Sequence, residues 1–120
     1  LISYITLGCR DLKLAESFYS PIMNKMGGTP AYRTDRLLAW SLGGNGPLLV
    51  VNLPFDGEVA TYGNGGMVAF KVESQESVMA LHSLAIELGG VDEGAPGPRG
   101  KSFYGAYVRD LDGNKLNFHC

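Results

Sequence analysis

Few residues in this chain of 120 carry the usual tools of catalysis, so the placing of each matters. There are two histidines, His82 and His119, and two cysteines, Cys9 and Cys120. The cysteines form no CxxC pair and no zinc-finger spacing. Cys9 has the opposite strand parity to Tyr4, which points it at a helix layer as a small core residue. No histidine is placed to activate it. Asp110 and Asp112 sit in Asp110-Leu-Asp-Gly-Asn-Lys-Leu-Asn-Phe118, where turn chemistry accounts for both. No carboxylate pair falls on positions that would face a site together, so acid–base catalysis by paired carboxylates gains no support. Gly63-Asn-Gly-Gly66 is rich in glycine but lacks the lysine and the following helix of a phosphate-binding loop. What remains is unusual: two neutral amides, Asn52 in Val50-Val-Asn-Leu53 and Asn117 in the tail, on strands of similar character.

The elements that must hold these residues can be read from periodicity. Ser3 to Cys9 alternates, with Ile5, Leu7 and Cys9 on one side and Tyr4, Thr6 and Gly8 on the other, as in a two-faced strand. Asp11 can cap a helix whose apolar positions Leu12, Ala15, Phe18 or Tyr19, Ile22 and Met26 recur at helical spacing. Pro21 lies inside that span and is expected to kink or break it. Gly27-Gly28 ends it. Leu37–Leu42 and Leu48–Leu53 flank the hairpin turn Gly43-Gly-Asn-Gly46. Pro54 to Gly65 is a linking loop. The pattern then restarts: a strand from Met67 to Val72, a helix capped by Ser74 carrying Val78, Leu81, Ala85 and Leu88, and a stop at Gly89-Gly90. Ala95 to Gly100 is expected to be a loop. Phe103–Arg109 and Lys115–His119 are strands around Asp112-Gly113. The order is β-α-β-β(-β), twice. Tyr4 matches Met67 and Asp11 matches Ser74 at an offset of 63, and Asn52 matches Asn117 at 65, so the two amides are expected to be counterparts in a duplicated unit.

Bulk properties narrow the function. The length fits one compact domain. Hydrophobic residues make up 45%, ordinary for a globular chain. A net charge of −2 gives no reason to expect nucleic acid or an anionic membrane as partner. No apolar run approaches the roughly 20 residues needed to cross a bilayer. The start lacks the basic flank and cleavage site of a signal peptide, so a cytoplasmic protein with reduced thiols is expected. The start also lacks Met, as a trimmed chain would.

Three stretches carry a resemblance: Tyr4-Ile-Thr-Leu-Gly-Cys-Arg-Asp-Leu12 with Phe18-Tyr19, Gly66-Met-Val-Ala-Phe-Lys-Val72, and Tyr107-Val-Arg-Asp-Leu-Asp-Gly-Asn-Lys-Leu116. The last is similar to a "strand, Asp-Pro-Asp-Gly, strand" motif, with Leu111 in place of proline. The chain resembles the vicinal oxygen chelate superfamily of glyoxalases, bleomycin-resistance proteins and extradiol dioxygenases. The resemblance implies an α+β fold of paired βαβββ modules, cupping a mixed sheet with helices packed outside. It implies one domain over 1–120, with module one near 1–57 and module two near 64–120, and a homodimer. The family's metal ligands, carried over by position, fall on Tyr4, Asn52, Met67 and Asn117. A phenol, a thioether and two amides suit a hard divalent cation poorly, so no family-type metal and no cofactor is expected. Tyr4, Trp40, Asn52, Met67, Tyr107 and Asn117 would instead line a pocket for a small organic molecule, or simply fill the cup. Arg99 and Lys101, on the loop before the penultimate strand, could steer an anion. Two other classes stay open: a metal-dependent lyase or dioxygenase with atypical ligands, and a metal-independent enzyme with Tyr107 or Tyr4 as proton donor.

Overall fold

A computed structural model describes all 120 residues. The chain divides into two compact units, Leu1–Tyr62 and Gly63–Cys120. In the first, β1 (Tyr4–Gly8) leads to α1 (Leu12–Lys25), then β2 (Thr29–Arg33), β3 (Leu37–Ser41) and β4 (Leu48–Asn52). The second repeats the order with β5 (Val68–Lys71), α2 (Gln75–Glu87), β6 (Val91–Pro98), β7 (Tyr104–Arg109) and β8 (Lys115–His119). Each unit is a βαβββ module with one mixed sheet, ordered β1-β4-β3-β2 and β5-β8-β7-β6. The first strand of each runs parallel to the last, and the other pairs are antiparallel. This is the α+β architecture expected. No helix is long and apolar enough to cross a membrane.

Local chemistry sets the helix ends. The Asp11 carboxylate accepts from Leu14 N at 3.0 Å, and Ser74 Oγ accepts from Ser77 N at 3.1 Å. Each satisfies one of the four free N–H groups of a first turn. Gly27 and Gly89, at φ 81° and 102°, terminate the helices in a conformation other residues resist. The buried stripe of α1 is Ala15, Phe18, Tyr19, Ile22 and Met23, and that of α2 is Val78, Leu81 and Ala85. Each large side chain so buried contributes roughly 1.5–3 kcal/mol. Cys9 is fully buried, as its parity predicts.

Three expectations change. Helix α1 continues unbroken through Pro21. Proline removes only one N–H, and the Ser17 position whose carbonyl would have received it is exposed, so water can serve that carbonyl. The Ala95–Gly100 stretch is no free loop: β6 continues to Pro98. As an edge strand, β6 tolerates proline and absorbs its glycines as register shifts at Asp92/Gly94 and Gly94/Gly97.

The third change concerns the two amides. Gly8 pairs with Asn52, and Lys71 pairs with His119. Cys9 N donates to Asn52 O at 2.9 Å, and Val72 N donates to His119 O at 2.8 Å. The ladder counterpart of Asn52 is therefore His119, and the counterpart of Asn117 is Val50. The repeat offset is 63 from Gly8 to Lys71 but 67 from Asn52 to His119. Strands β2 and β6 start 62 positions apart and β3 and β7 start 67 apart, so the extra residues lie in β6 and its turn into β7.

Candidate functional site: the open face of the second sheet

In the second module Ala106, Val108, Leu116 and Phe118 are fully buried, and Phe70 stacks on Phe118 with ring centroids 5.9 Å apart. This is the face that α2 covers. Strand parity sends Gly105, Tyr107 and Arg109, with Lys115, Asn117 and His119, to the opposite, open face. Tyr107 lies directly across from Asn117, and Gly105 across from His119.

The hairpin between β7 and β8 fixes that register. The buried Asp110 carboxylate accepts from Asp112 N at 2.8 Å, Asn114 N at 2.9 Å and Asn114 Nδ2 at 2.8 Å. Arg109 braces the turn by donating to Gly113 O at 2.9 Å and pairs with Glu93 on β6.

The open face carries an aromatic and cationic cluster seated on glycines. A Cβ at Gly94 would lie 2.9 Å from Tyr107 Cδ2, one at Gly97 would lie 3.1 Å from Arg99 Nη1, and one at Gly105 would lie 2.8 Å from the Phe103 ring. These glycines give space for rings and a guanidinium to lie on the backbone; none of the three has a positive φ. Arg99 is held by Ala95 O at 2.7 Å and Pro98 O at 3.3 Å, and its guanidinium carbon stands 5.6 Å from the Tyr107 ring centre. Lys115 Nζ stands 5.4 Å from the same ring centre. Phe103 and His119 stack at 4.7 Å, 18° from parallel.

The residues expected to line a site are distributed unevenly. Tyr107 and Asn117 meet as a cross-strand pair. Met67 precedes β5 in the same module and is 46% exposed. Tyr4 and Asn52 lie at opposite ends of the β1–β4 ladder, since Tyr4 pairs with Leu48 and Gly8 with Asn52. Trp40 is corrected: it is buried beside Tyr19 of α1, ring centroids 6.0 Å apart, on the helix side of its sheet. Lys101 is exposed on the turn after β6. The sequence reading passed over the seating of Arg99 on Tyr107. Its signal was the glycine spacing of Gly94 and Gly97, legible only once β6 is known to be a strand.

Could the family's metal fit? The Asn117 amide nitrogen donates to Ala106 O at 3.1 Å and Phe118 O at 3.3 Å, and that of Asn52 to Leu53 O at 3.0 Å, so each amide has only its neutral oxygen to offer a cation. The position matching Asn117 in the first module is Val50, which has no donor atom. No three His, Cys, Asp or Glu side chains gather where they could hold a metal ion. The donors present do not fit a hard dication.

Two surface cavities lie in the first module. One, of about 360 Å³, is lined by Cys9, Arg10, Arg36, Leu53 and Glu58 among others. The other, of about 370 Å³, lies on the helix side against Trp40, Glu16 and Ser20. Only Trp40 among the expected residues touches either.

A duplicated βαβββ chain with a mixed sheet in each half defines a fold class, and solved structures share it along their whole length. A glyoxalase/bleomycin resistance protein from Albidiferax ferrireducens T118 is 30% identical, with 98% of this chain and 96% of that one covered and a TM-score of 0.89. A glyoxalase-related enzyme from Fulvimarina pelagi is 24% identical, covering 99% and 86%, with a TM-score of 0.79. A glyoxalase/bleomycin resistance protein/dioxygenase family enzyme from Burkholderia phytofirmans PsJN is 20% identical, covering 98% and 95%, with a TM-score of 0.76. No family model and no curated protein matches. This chain belongs to the glyoxalase/bleomycin resistance/dioxygenase family of the vicinal oxygen chelate superfamily.

Proposed function

We propose that this protein binds a small organic molecule on the open side of its sheets, without a catalytic metal of the family type. The observation that carries the reading is Asn117. It stands at the position where the resemblance puts a metal ligand, yet it is a neutral amide that offers a dication only one uncharged oxygen, its nitrogen being held by two backbone carbonyls. Its counterpart Val50 can ligate nothing. Around Asn117 lie rings and hydrogen-bonding groups of the kind that hold a small, partly polar ligand. Tyr107 is the central contact of this reading, with Asn117, only 1% exposed, supporting it across the strand pair and Met67 at the margin. Tyr4 and Asn52 belong to the first module's own open face. The protein works in the cytoplasm as a homodimer, with Cys9 and Cys120 as thiols; both are free cysteines.

Native mass spectrometry of gently purified protein tests this. A small organic mass that co-purifies, and that Asn117→Ala or Tyr107→Ala releases, supports the reading. Saturable stabilisation by no small molecule across a broad metabolite panel overturns it.

A further inference from the structure

The chain as a whole is acidic, with a net charge of −2. The open face of the second sheet has the opposite balance. Lys71 on β5, Arg109 on β7 and Lys115 on β8 share it by strand parity, and Arg99 lies over its Tyr107. Glu93 answers Arg109. Arg99, Lys71 and Lys115 form no ion pair. Like charges gathered on one side of a small module without paired carboxylates repel one another and cost stability. A sheet face that keeps them, with no carboxylate to neutralise three of the four, is suited to receive negative charge from outside.

The geometry says more than charge. Arg99 and Lys115 both approach the Tyr107 ring, at 5.6 and 5.4 Å from its centre. Arg99 is not a loose surface side chain: two backbone carbonyls fix its guanidinium, and the loop that carries it is closed by Arg99 N donating to Phe103 O at 2.6 Å. That fixing lowers the ordering cost of binding. A guanidinium has five N–H donors, so donors remain for a bidentate acceptor. On the next strand positions, the stacked Phe103 and His119 rings offer an aromatic wall. The carrier of Arg99 is the stretch in which the second module exceeds the first in length. Gly94 and Gly97, which make room for the ring and the guanidinium, lie in the same stretch.

We infer that the ligand is an organic anion, an aromatic or otherwise planar body bearing a carboxylate, with Arg99 and Lys115 as its counter-charges and Tyr107, Phe103 and His119 as its apolar contacts. This rests on the binding reading above and narrows it to one chemical class.

The test compares 1-naphthoate with 1-naphthamide, which has the same shape and no charge. Affinities are followed by NMR titration of the full chain at low and high salt. The naphthoate binds about tenfold more tightly at low salt, a factor that charge-assisted bonds readily supply. Its advantage shrinks as salt rises. Arg99→Gln and Lys115→Gln each lower naphthoate affinity more than naphthamide affinity and so reduce that advantage, and the exposed Lys13→Gln alters neither. Equal affinity for the two probes, or an advantage indifferent to both substitutions, overturns the assignment of an anion while leaving small-molecule binding intact. No perturbation of the second sheet by either probe at millimolar concentration overturns the assignment of an aromatic anion to this face, while the metabolite panel decides small-molecule binding separately.

Discussion

The Asp110 carboxylate holds the hairpin that sets the open face in register, and removing it should be costly. Asp110 is 4% exposed and accepts at least three bonds, among them two from backbone N–H groups and one from the Asn114 amide. A hydrogen bond to a charged group contributes about 1.5–3 kcal/mol net. In Asp110→Ala all three donors lose their acceptor. Asp112 is half-buried, so water can reach its N–H, while Asn114 is 7% exposed and loses the Asp110 acceptor of both its backbone and its amide N–H inside. Relief of the carboxylate's own desolvation offsets part of the loss. A net destabilisation of about 3 kcal/mol follows, a large share of the 5–15 kcal/mol typical of a whole domain. Asp110→Asn keeps an acceptor for the backbone donors and forfeits chiefly the Asn114 amide bond, so its cost is about 1 kcal/mol. Urea unfolding followed by far-UV circular dichroism measures both. A loss below about 1 kcal/mol for the alanine variant, or equal losses for alanine and asparagine, would refute the account of this turn.

Other predictions follow from the same geometry. Gly105→Ala places a Cβ 2.8 Å from the Phe103 ring and 3.1 Å from Asn117 Nδ2. It should cost about 1–3 kcal/mol and abolish the ring-current shifts of the Phe103–His119 stack in proton NMR. Helix capping gives a pair of controls: Asp11→Ala and Ser74→Ala each lower stability by about 1 kcal/mol in chemical denaturation. The third concerns acid. A bond from His82 at 2.8 Å, and one from Gly94 N, hold the Asp92 carboxyl below its ordinary value. A depressed carboxyl adds stability that is present above the ordinary carboxylate range and lost as pH falls through the folded-state value. The melting-temperature advantage of wild type over Asp92→Asn should therefore persist at neutral pH and disappear in acid; an advantage that grows on acidification has the wrong sign.

Much of this fold was legible because the sequence repeats its own punctuation. Asp11 and Ser74 cap helices, Gly27 and Gly89 end them, and Asp110 to Asn114 makes a turn whose side chains bond their own backbone. The edge strands were harder. Val91–Pro98 holds two glycines and two prolines and is largely exposed, so neither apolar alternation nor β-propensity marks it. Its pairing is supplied by β7, a tertiary cause invisible in a local window. Missing β6 as a strand also hid the longer connection in the second module, and with it the true counterpart of Asn52. Trp40 failed for another reason. Leu37 to Trp40 is apolar on both parities, so a period of two cannot choose a face, and contact with Tyr19 on α1 makes the choice. On β8 the alternation was clean, which is why Lys115, Asn117 and His119 could be assigned to one side from sequence.

Elemental analysis of tag-free protein, with Asn117→Ala purified alongside, bears most directly on the central claim. The account predicts far less than one transition metal per chain, with no difference between the two proteins. One Ni, Zn, Mn or Fe per chain in the wild type, lost in Asn117→Ala, would contradict it.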